Sequence, residues 1–246
     1  MTTDVPRTLL IVPAYNEEAS LAIVLPELRE VAPQFDVVVV NDGSSDATAD
    51  VARSLGYPVL DLSFNLGIGG AVQTGFKYAF DKGYDVAVQI DSDGQFPPDQ
   101  IELLVGLVLN EGWDMVIGSR YLAEPGYEGS HLRRFGNFVL SQLCTLFSGH
   151  KITDSTSGFR AYSRRALEYL AAYYPPDYPE PESIVFLARQ GLRIHEVPVA
   201  MRQRQAGTSS IGGLKPLTYM SKVSLALTLN ILKEKPPIGN ERRRNP

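Results

Sequence analysis

The 246-residue chain is predicted to fold as an α/β domain around a mostly parallel sheet. Three observations predict it. Short apolar runs alternate with segments of helical spacing through the first half. The runs are apolar on both faces, as strands are when helices cover the sheet on each side. Acidic residues follow those runs, at the carboxyl ends of strands, where such sheets bind ligands.

The elements follow in order. Leu9–Val12 is the first strand; Pro13 ends it and Tyr15-Asn16-Glu17 follows. Glu18 to Val31 carries Leu21, Val24, Leu25 and Leu28 at helical spacing. Val37–Val40, four valines, stops at Asn41-Asp42-Gly43. Ser44 or Ser45 is expected to cap a helix from Asp46 to Leu55. Val59–Leu62 is a third strand and Ala71 to Phe80 a helix. Val86–Ile90 is a fourth strand, ending in Asp91. Pro97-Pro98-Asp99 opens a helix from Gln100 to Leu109, and Met115–Ile117 is a fifth strand. Repeated strand–helix units imply right-handed crossovers.

The second half changes character. Phe135 to Phe147 has helical spacing, and its stripe of Phe135, Phe138, Val139, Gln142, Leu143 and Leu146 is expected to lie in the core. Thr153 to Arg160 reads as a loop, and Tyr173 to Pro181 as a stiff irregular one. Arg193 to Met201 reads as a strand and Leu217 to Leu232 as a helix. We expect one domain over residues 1–212, then an amphipathic helix and basic tail over 213–246.

Composition narrows the function classes. A net charge of -5 argues against a nucleic-acid partner. One cysteine, Cys144, allows no internal disulfide and reads as a buried small hydrophobe. Three scattered histidines make no zinc pattern. Met1 to Arg7 lacks the apolar stretch of a signal peptide. No run approaches the roughly 20 apolar residues of a membrane span. The chain is therefore expected in the cytoplasm, or peripheral on the cytosolic face of a membrane. Lys233, Lys235, Arg242, Arg243 and Arg244 form a basic end suited to anionic lipid or to a solvated terminus.

Asp91-Ser92-Asp93 carries the strongest chemistry. Two carboxylates two apart at a strand end can both face a cleft. Mg2+ or Mn2+ prefers such hard oxygens and keeps positions open for phosphate oxygens. A metal there can neutralise a diphosphate leaving group. Asp42 suits a base or ribose, or caps a helix. Glu17 has the same two readings. Gly67-Ile68-Gly69-Gly70 is not a dinucleotide fingerprint, because Val72 stands where a third small residue belongs. Those glycines are expected to admit a ligand or a helix–sheet contact. Arg120, Arg133, Arg134, Arg160, Arg202 and Arg204 offer phosphate contacts.

Taken together the motifs resemble the inverting family 2 glycosyltransferases, in the branch of the dolichyl- and polyprenyl-phosphate mannosyl- or glucosyltransferases. The residues that carry this are Pro13-Ala14-Tyr15-Asn16-Glu17-Glu18, Asn41 to Asp46, Asn65-Leu66-Gly67 to Gly75, Asp91 to Gln95, Gly118-Ser119-Arg120-Tyr121 and Ser157-Gly158-Phe159-Arg160. The resemblance implies a GT-A (Rossmann-like) fold, a nucleotide-sugar donor and Mg2+ or Mn2+. By position, Pro13, Tyr15, Glu17 and Asp42 would hold the nucleoside. Asp91, Ser92 and Asp93 would meet the diphosphate, with Asp91, Asp93 and Gln95 as metal ligands and Asp93 catalytic. Arg120 and Arg204 would bind the donor, and Arg133, Ser157 and Arg160 the acceptor. Asp154 would lie beside the acceptor. Arg204 to Ile211 resembles a late loop that closes over the donor, with Ser210 in place of its lysine.

Two acceptors follow. A polyprenyl phosphate is already ionised and needs no strong base. A glycan hydroxyl needs one, and Asp154 or Glu182 would supply it. A lipid acceptor implies a membrane surface or a membrane-protein partner, with the Leu217–Leu232 helix on the bilayer or packed on the core. A non-catalytic nucleotide-binding subunit is the third reading, against which the intact Asp91/Asp93 pair stands.

Overall fold

The computed structural model describes residues 5–122, 131–202 and 222–228, without the side chains of 131–133. Arg204, Ser210, the 204–211 loop and the basic end lie outside the described residues, as does the side chain of Arg133.

The first half alternates as expected: β1 (Thr8–Ala14), α1 (Glu18–Val31), β2 (Asp36–Asn41), α2 (Thr48–Ser54), β3 (Val59–Asp61), α3 (Gly67–Asp81), β4 (Val86–Gln89), α4 (Ile101–Glu111) and β5 (Met115–Ser119). Then come α5 (His131–Ser148), β6 (Arg160–Ser163), α6 (Arg164–Ala172), α7 (Pro179–Arg189) and β7 (Ile194–Pro198). The seven strands lie in the order β3-β2-β1-β4-β6-β5-β7. Every pairing is parallel except those of β6, which runs antiparallel between β4 and β5. Alternate residues of each strand enter two cores. Leu9, Ile11, Val38 and Val40 face Phe76 of α3 and Leu167 of α6. Leu10, Val12, Val37 and Val39 face Leu21 and Leu25 of α1 and Leu104 of α4.

Four expectations are corrected. Arg160–Ser163 is a strand, not the end of a loop. Helix α3 starts at Gly67, four residues early, and two of its glycines serve close packing. A Cβ on Gly75 would stand 2.3 Å from Ile11 Cγ2, and one on Gly69 2.5 Å from the Pro175 carbonyl oxygen. Neither serine caps α2: Ser44 Oγ accepts the Asn16 amide and Ser45 bonds to Asn16, while Asp46 accepts the Thr48 amide at 3.0 Å. Helix α7 begins inside the proline-rich stretch, with Pro179 in its first turn, where an N–H has no helical partner to lose.

Two further apolar segments were expected to be helical, and both are where the structure describes them. On α5, Phe135, Phe138 and Leu146 are 57%, 59% and 73% exposed, while Leu140 and Cys144 turn inward. Phe135, Phe138 and Leu146 of the stripe expected in the core thus face outward, whereas Val139 is half-buried and Leu143 packs against the core. Of the Leu217–Leu232 helix only residues 222–228 are described; they are helical and bury Val223 and Leu227 in the α3-side core. No helix among the described residues is long and apolar enough to cross a membrane.

Candidate active site

The carboxyl ends of β1, β2, β4 and β5 gather the residues singled out in the sequence. The β1 and β2 ends are laced together. The Asp42 amide donates to the Ala14 carbonyl at 2.9 Å, and the Glu17 amide to Thr48 Oγ1 at 2.8 Å. Asn16 adopts φ 54, which turns Tyr15 outward and Glu17 back to begin α1. Tyr15 is exposed and Pro13 buried. Glu17 takes the Ser20 hydroxyl on its carboxylate. Asp42 is buried, and its Oδ1 accepts the Leu66 amide at 2.7 Å just ahead of α3. Burial raises its pKa, and the Leu66 and Gly67 amides partly offset that. Its carboxylate therefore fastens the start of α3 to the end of β2.

Past β4 the chain turns sharply. Asp93 Oδ1 accepts the Gln95 amide at 3.0 Å, and Gly94 takes φ 72 between them. Ser92 and Asp93 are buried, while Asp91 and Gln95 keep partial exposure. The Asp91 carboxylate lies directly on Gly158: a Cβ there would fall 2.5 Å from Oδ1. From the other side, the Arg202 amide donates to the Gln95 carbonyl at 2.8 Å, and Arg202 pairs with Glu27 of α1. Among the described residues no three His, Cys, Asp or Glu side chains cluster as a metal cage. The turn carries two carboxylates and the Gln95 side-chain carboxamide, whose oxygens are the hard donors that suit an ion keeping positions for water and phosphate.

Arg120, just past β5, is held from three directions. Its Nε and one terminal nitrogen reach the two oxygens of Asp154 at 2.7 Å each, and its backbone amide donates to Oδ2 at 3.0 Å. Thr156 Oγ1 accepts from the same terminal nitrogen at 2.8 Å. Asp154 has no exposed surface. One loop thus serves both halves of the site: Asp154 grips Arg120 and Gly158 seats Asp91.

Two residues expected at the acceptor lie inside the protein. Ser157 donates to the Gly118 carbonyl at 2.7 Å. Arg160 has no exposed surface and donates to the carbonyls of Ser155, Ser157 and Glu180 and to Ser183 Oγ. Glu182 is buried as well. Asn137, absent from the sequence reading, donates to the Thr153 carbonyl at 2.7 Å and helps to hold this loop. Its polarity within an apolar helical stripe was the available clue.

A mostly parallel sheet with one antiparallel strand, carrying an acid turn on its ligand edge, defines the chain as a GT-A glycosyltransferase. The sequence matches Glycosyl transferase family 2 over residues 9–170, and the chain belongs to that family. It is 36% identical to the undecaprenyl-phosphate mannosyltransferase of Micrococcus luteus, over 84% of this chain and 88% of that protein. It is 33% identical to the UDP-N-acetylglucosamine–dolichyl-phosphate N-acetylglucosaminyltransferase of Methanococcus voltae, over 77% of this chain and 83% of that one. Its fold is similar to glucosyl-3-phosphoglycerate synthase from Mycobacterium tuberculosis, crystallised with Mn2+, UDP-glucose and phosphoglyceric acid. That likeness has a TM-score of 0.69 at 22% identity and covers 92% of this chain and 79% of that one.

Proposed function

We propose that this glycosyltransferase moves a hexose from a nucleotide-diphosphate sugar to a polyprenyl phosphate, with inversion. A phosphate oxygen of the acceptor attacks the sugar's anomeric carbon. The bond from that carbon to the donor diphosphate breaks, and the nucleoside diphosphate leaves with the electron pair. Asp91, Asp93 and Gln95 would hold a divalent cation, Mg2+ or Mn2+, which when bound neutralises charge on the diphosphate. Arg120 adds a second, fixed positive charge, oriented by Asp154. Pro13, Tyr15, Glu17 and Asp42 line the nucleoside end.

The observation that carries this reading is the pairing of Asp154 with Arg120. Both oxygens of Asp154 are engaged by the guanidinium, so one of the two candidate bases for a hydroxyl acceptor is spent on orientation, and the other, Glu182, is buried. An acceptor already ionised at neutral pH makes no such demand, and the reaction then rests on positioning and charge stabilisation. The two relatives described above act on lipid phosphates, which agrees. The outward apolar face of α5 supports a peripheral seat on a membrane, with Phe135 and Phe138 toward lipid.

The test is nucleoside diphosphate release by purified protein with Mn2+ or Mg2+ and a panel of nucleotide-sugars, with and without a polyprenyl phosphate. Release that requires the metal, the lipid phosphate and Asp93, read from D93A, is the expected result. Equal release with an unphosphorylated acceptor would sink the lipid-phosphate reading.

A further inference from the structure

Behind Arg120 and Asp154 stands a third ionisable group, Glu196, in the middle of β7. It pairs with Ile117 of β5, so it lies on the strand beside the one that delivers Arg120. Its Oε1 accepts the Asp154 amide at 2.9 Å. Its Oε2 accepts the Thr153 amide at 2.8 Å and the Thr153 hydroxyl at 2.7 Å. Two consecutive amides on one carboxylate fix the Thr153–Asp154 peptide plane, and with it the direction in which the Asp154 side chain leaves the backbone.

The hydroxyl bond sets a second constraint. A hydroxyl carries one proton. Thr153 gives its proton to Glu196, so in the 2.7 Å contact between Thr153 Oγ1 and Ser119 Oγ the serine is the donor. Ser119 Oγ in turn accepts the Tyr121 amide at 3.3 Å. A directed chain therefore runs from Tyr121 through Ser119 and Thr153 to Glu196. It begins on the two residues flanking Arg120 and ends on the carboxylate that also orients Asp154.

Among the described residues no arginine or lysine forms an ion pair with Glu196, and burial raises its pKa while these donors partly offset that. A half-buried charge without a counter-ion carries part of the cost of burial. A glutamine of the same shape would avoid that cost, but its NH2 would face an N–H at one end of the network. Only a carboxylate accepts on both oxygens at once.

We propose that Glu196 is the positioning residue of the transferase, holding the Asp154–Arg120 clamp in the orientation that meets the donor diphosphate. This rests on the reading that Arg120 contacts that diphosphate. The role belongs to the rate step, because a charge aimed at the leaving group matters most as the bond breaks.

The experiment compares E196Q, D154N, the E196Q/D154N double variant, T153V and R120A. Each is assayed for nucleoside diphosphate release with Mn2+, a polyprenyl phosphate, and UDP-glucose or GDP-mannose, whichever the parent turns over. Thermal midpoints are recorded alongside. E196Q is expected to lose about tenfold in kcat with donor KM within about threefold of the parent. D154N should lose more, and the double variant no more than D154N alone, because both act through Arg120. T153V cuts only the hydroxyl relay and is expected to lose about threefold; it carries the test if E196Q does not fold. Losses that multiply in the double variant, or an E196Q rate within about twofold of the parent while R120A is crippled, overturn the positioning role and leave the Arg120 reading intact. A full rate from R120A overturns both.

Discussion

Replacing Gly158 by alanine perturbs Asp91 and little else. The glycine does not need left-handed backbone, so alanine is conformationally acceptable there. The new Cβ would lie 2.5 Å from Asp91 Oδ1, 2.7 Å from Oδ2 and 2.9 Å from Cγ, whereas ordinary contact begins at 3.4 Å. The carboxylate must therefore retreat by the difference, 0.9 Å. Because the obstacle is the end of a side chain rather than backbone, the fold absorbs the change and the site does not. A misplacement near 1 Å costs on the order of 100-fold in rate, or about 2.7 kcal/mol in the barrier. The assay is kcat for nucleoside diphosphate release in saturating Mn2+, with the thermal midpoint as control. G158A is expected to melt with the parent and to turn over about 100-fold more slowly. A rate within about twofold of the parent would refute the claim that Gly158 seats a working Asp91.

Three further outcomes follow from the same geometry. EDTA should abolish product release without unfolding the chain, and added Mn2+ should restore it; release that persists in chelator would remove the metal from the reaction. G75A drives a Cβ into Ile11 Cγ2 at 2.3 Å and should cost about 2 kcal/mol. That corresponds to a melting point lower by roughly 4–8 °C. A G75A midpoint equal to that of the parent would mean that the helix has room to lift. Finally, burial pushes the Cys144 thiol and the Tyr162 hydroxyl each up to about 12, from ordinary values of 9.0 and 10.0. Above pH 9 the unfolded chain releases the thiol proton and the folded chain keeps it, so stability falls as pH rises. The slope from Cys144 is about 1.4 kcal/mol per pH unit, lasting until its folded pKa is reached. Urea unfolding of the parent between pH 8 and 10 should show that decline and C144A should delay it; identical slopes would contradict the assignment.

The parallel strands were legible because valine runs apolar on both faces have few other homes, and the acids after them stood out at the edge. Strand β6 was not legible, because Arg160-Ala161-Tyr162-Ser163 has the composition of a surface loop. Arg160 is buried only because three carbonyls and a hydroxyl meet its guanidinium, all supplied by tertiary contacts. Asp154 likewise offered a carboxylate in a motif, while the arginine that occupies it stands 34 residues earlier. The outward apolar face of α5 misled for another reason: helical periodicity marks a stripe but does not say which side meets the core. Glu196 lay within an alternating strand, and nothing local distinguished it from a solvent-facing glutamate.

Strand β6 also dictates when the catalytic edge can exist. Strands β1, β2, β3 and β4 pair among themselves, so the acid turn gains its scaffold from roughly the first third of the chain. Strand β5 has no neighbour there; its partners are residues 160–163 and 194–198. Arg120 is thus synthesised early and anchored late, after a strand made some 40 residues later slides between two that precede it. Such distant pairings are slow to form. Among the described residues, the Asp154–Arg120 pair and the Glu196 that accepts the Asp154 amide come together only once residues 160–163 and 194–198 have joined the sheet.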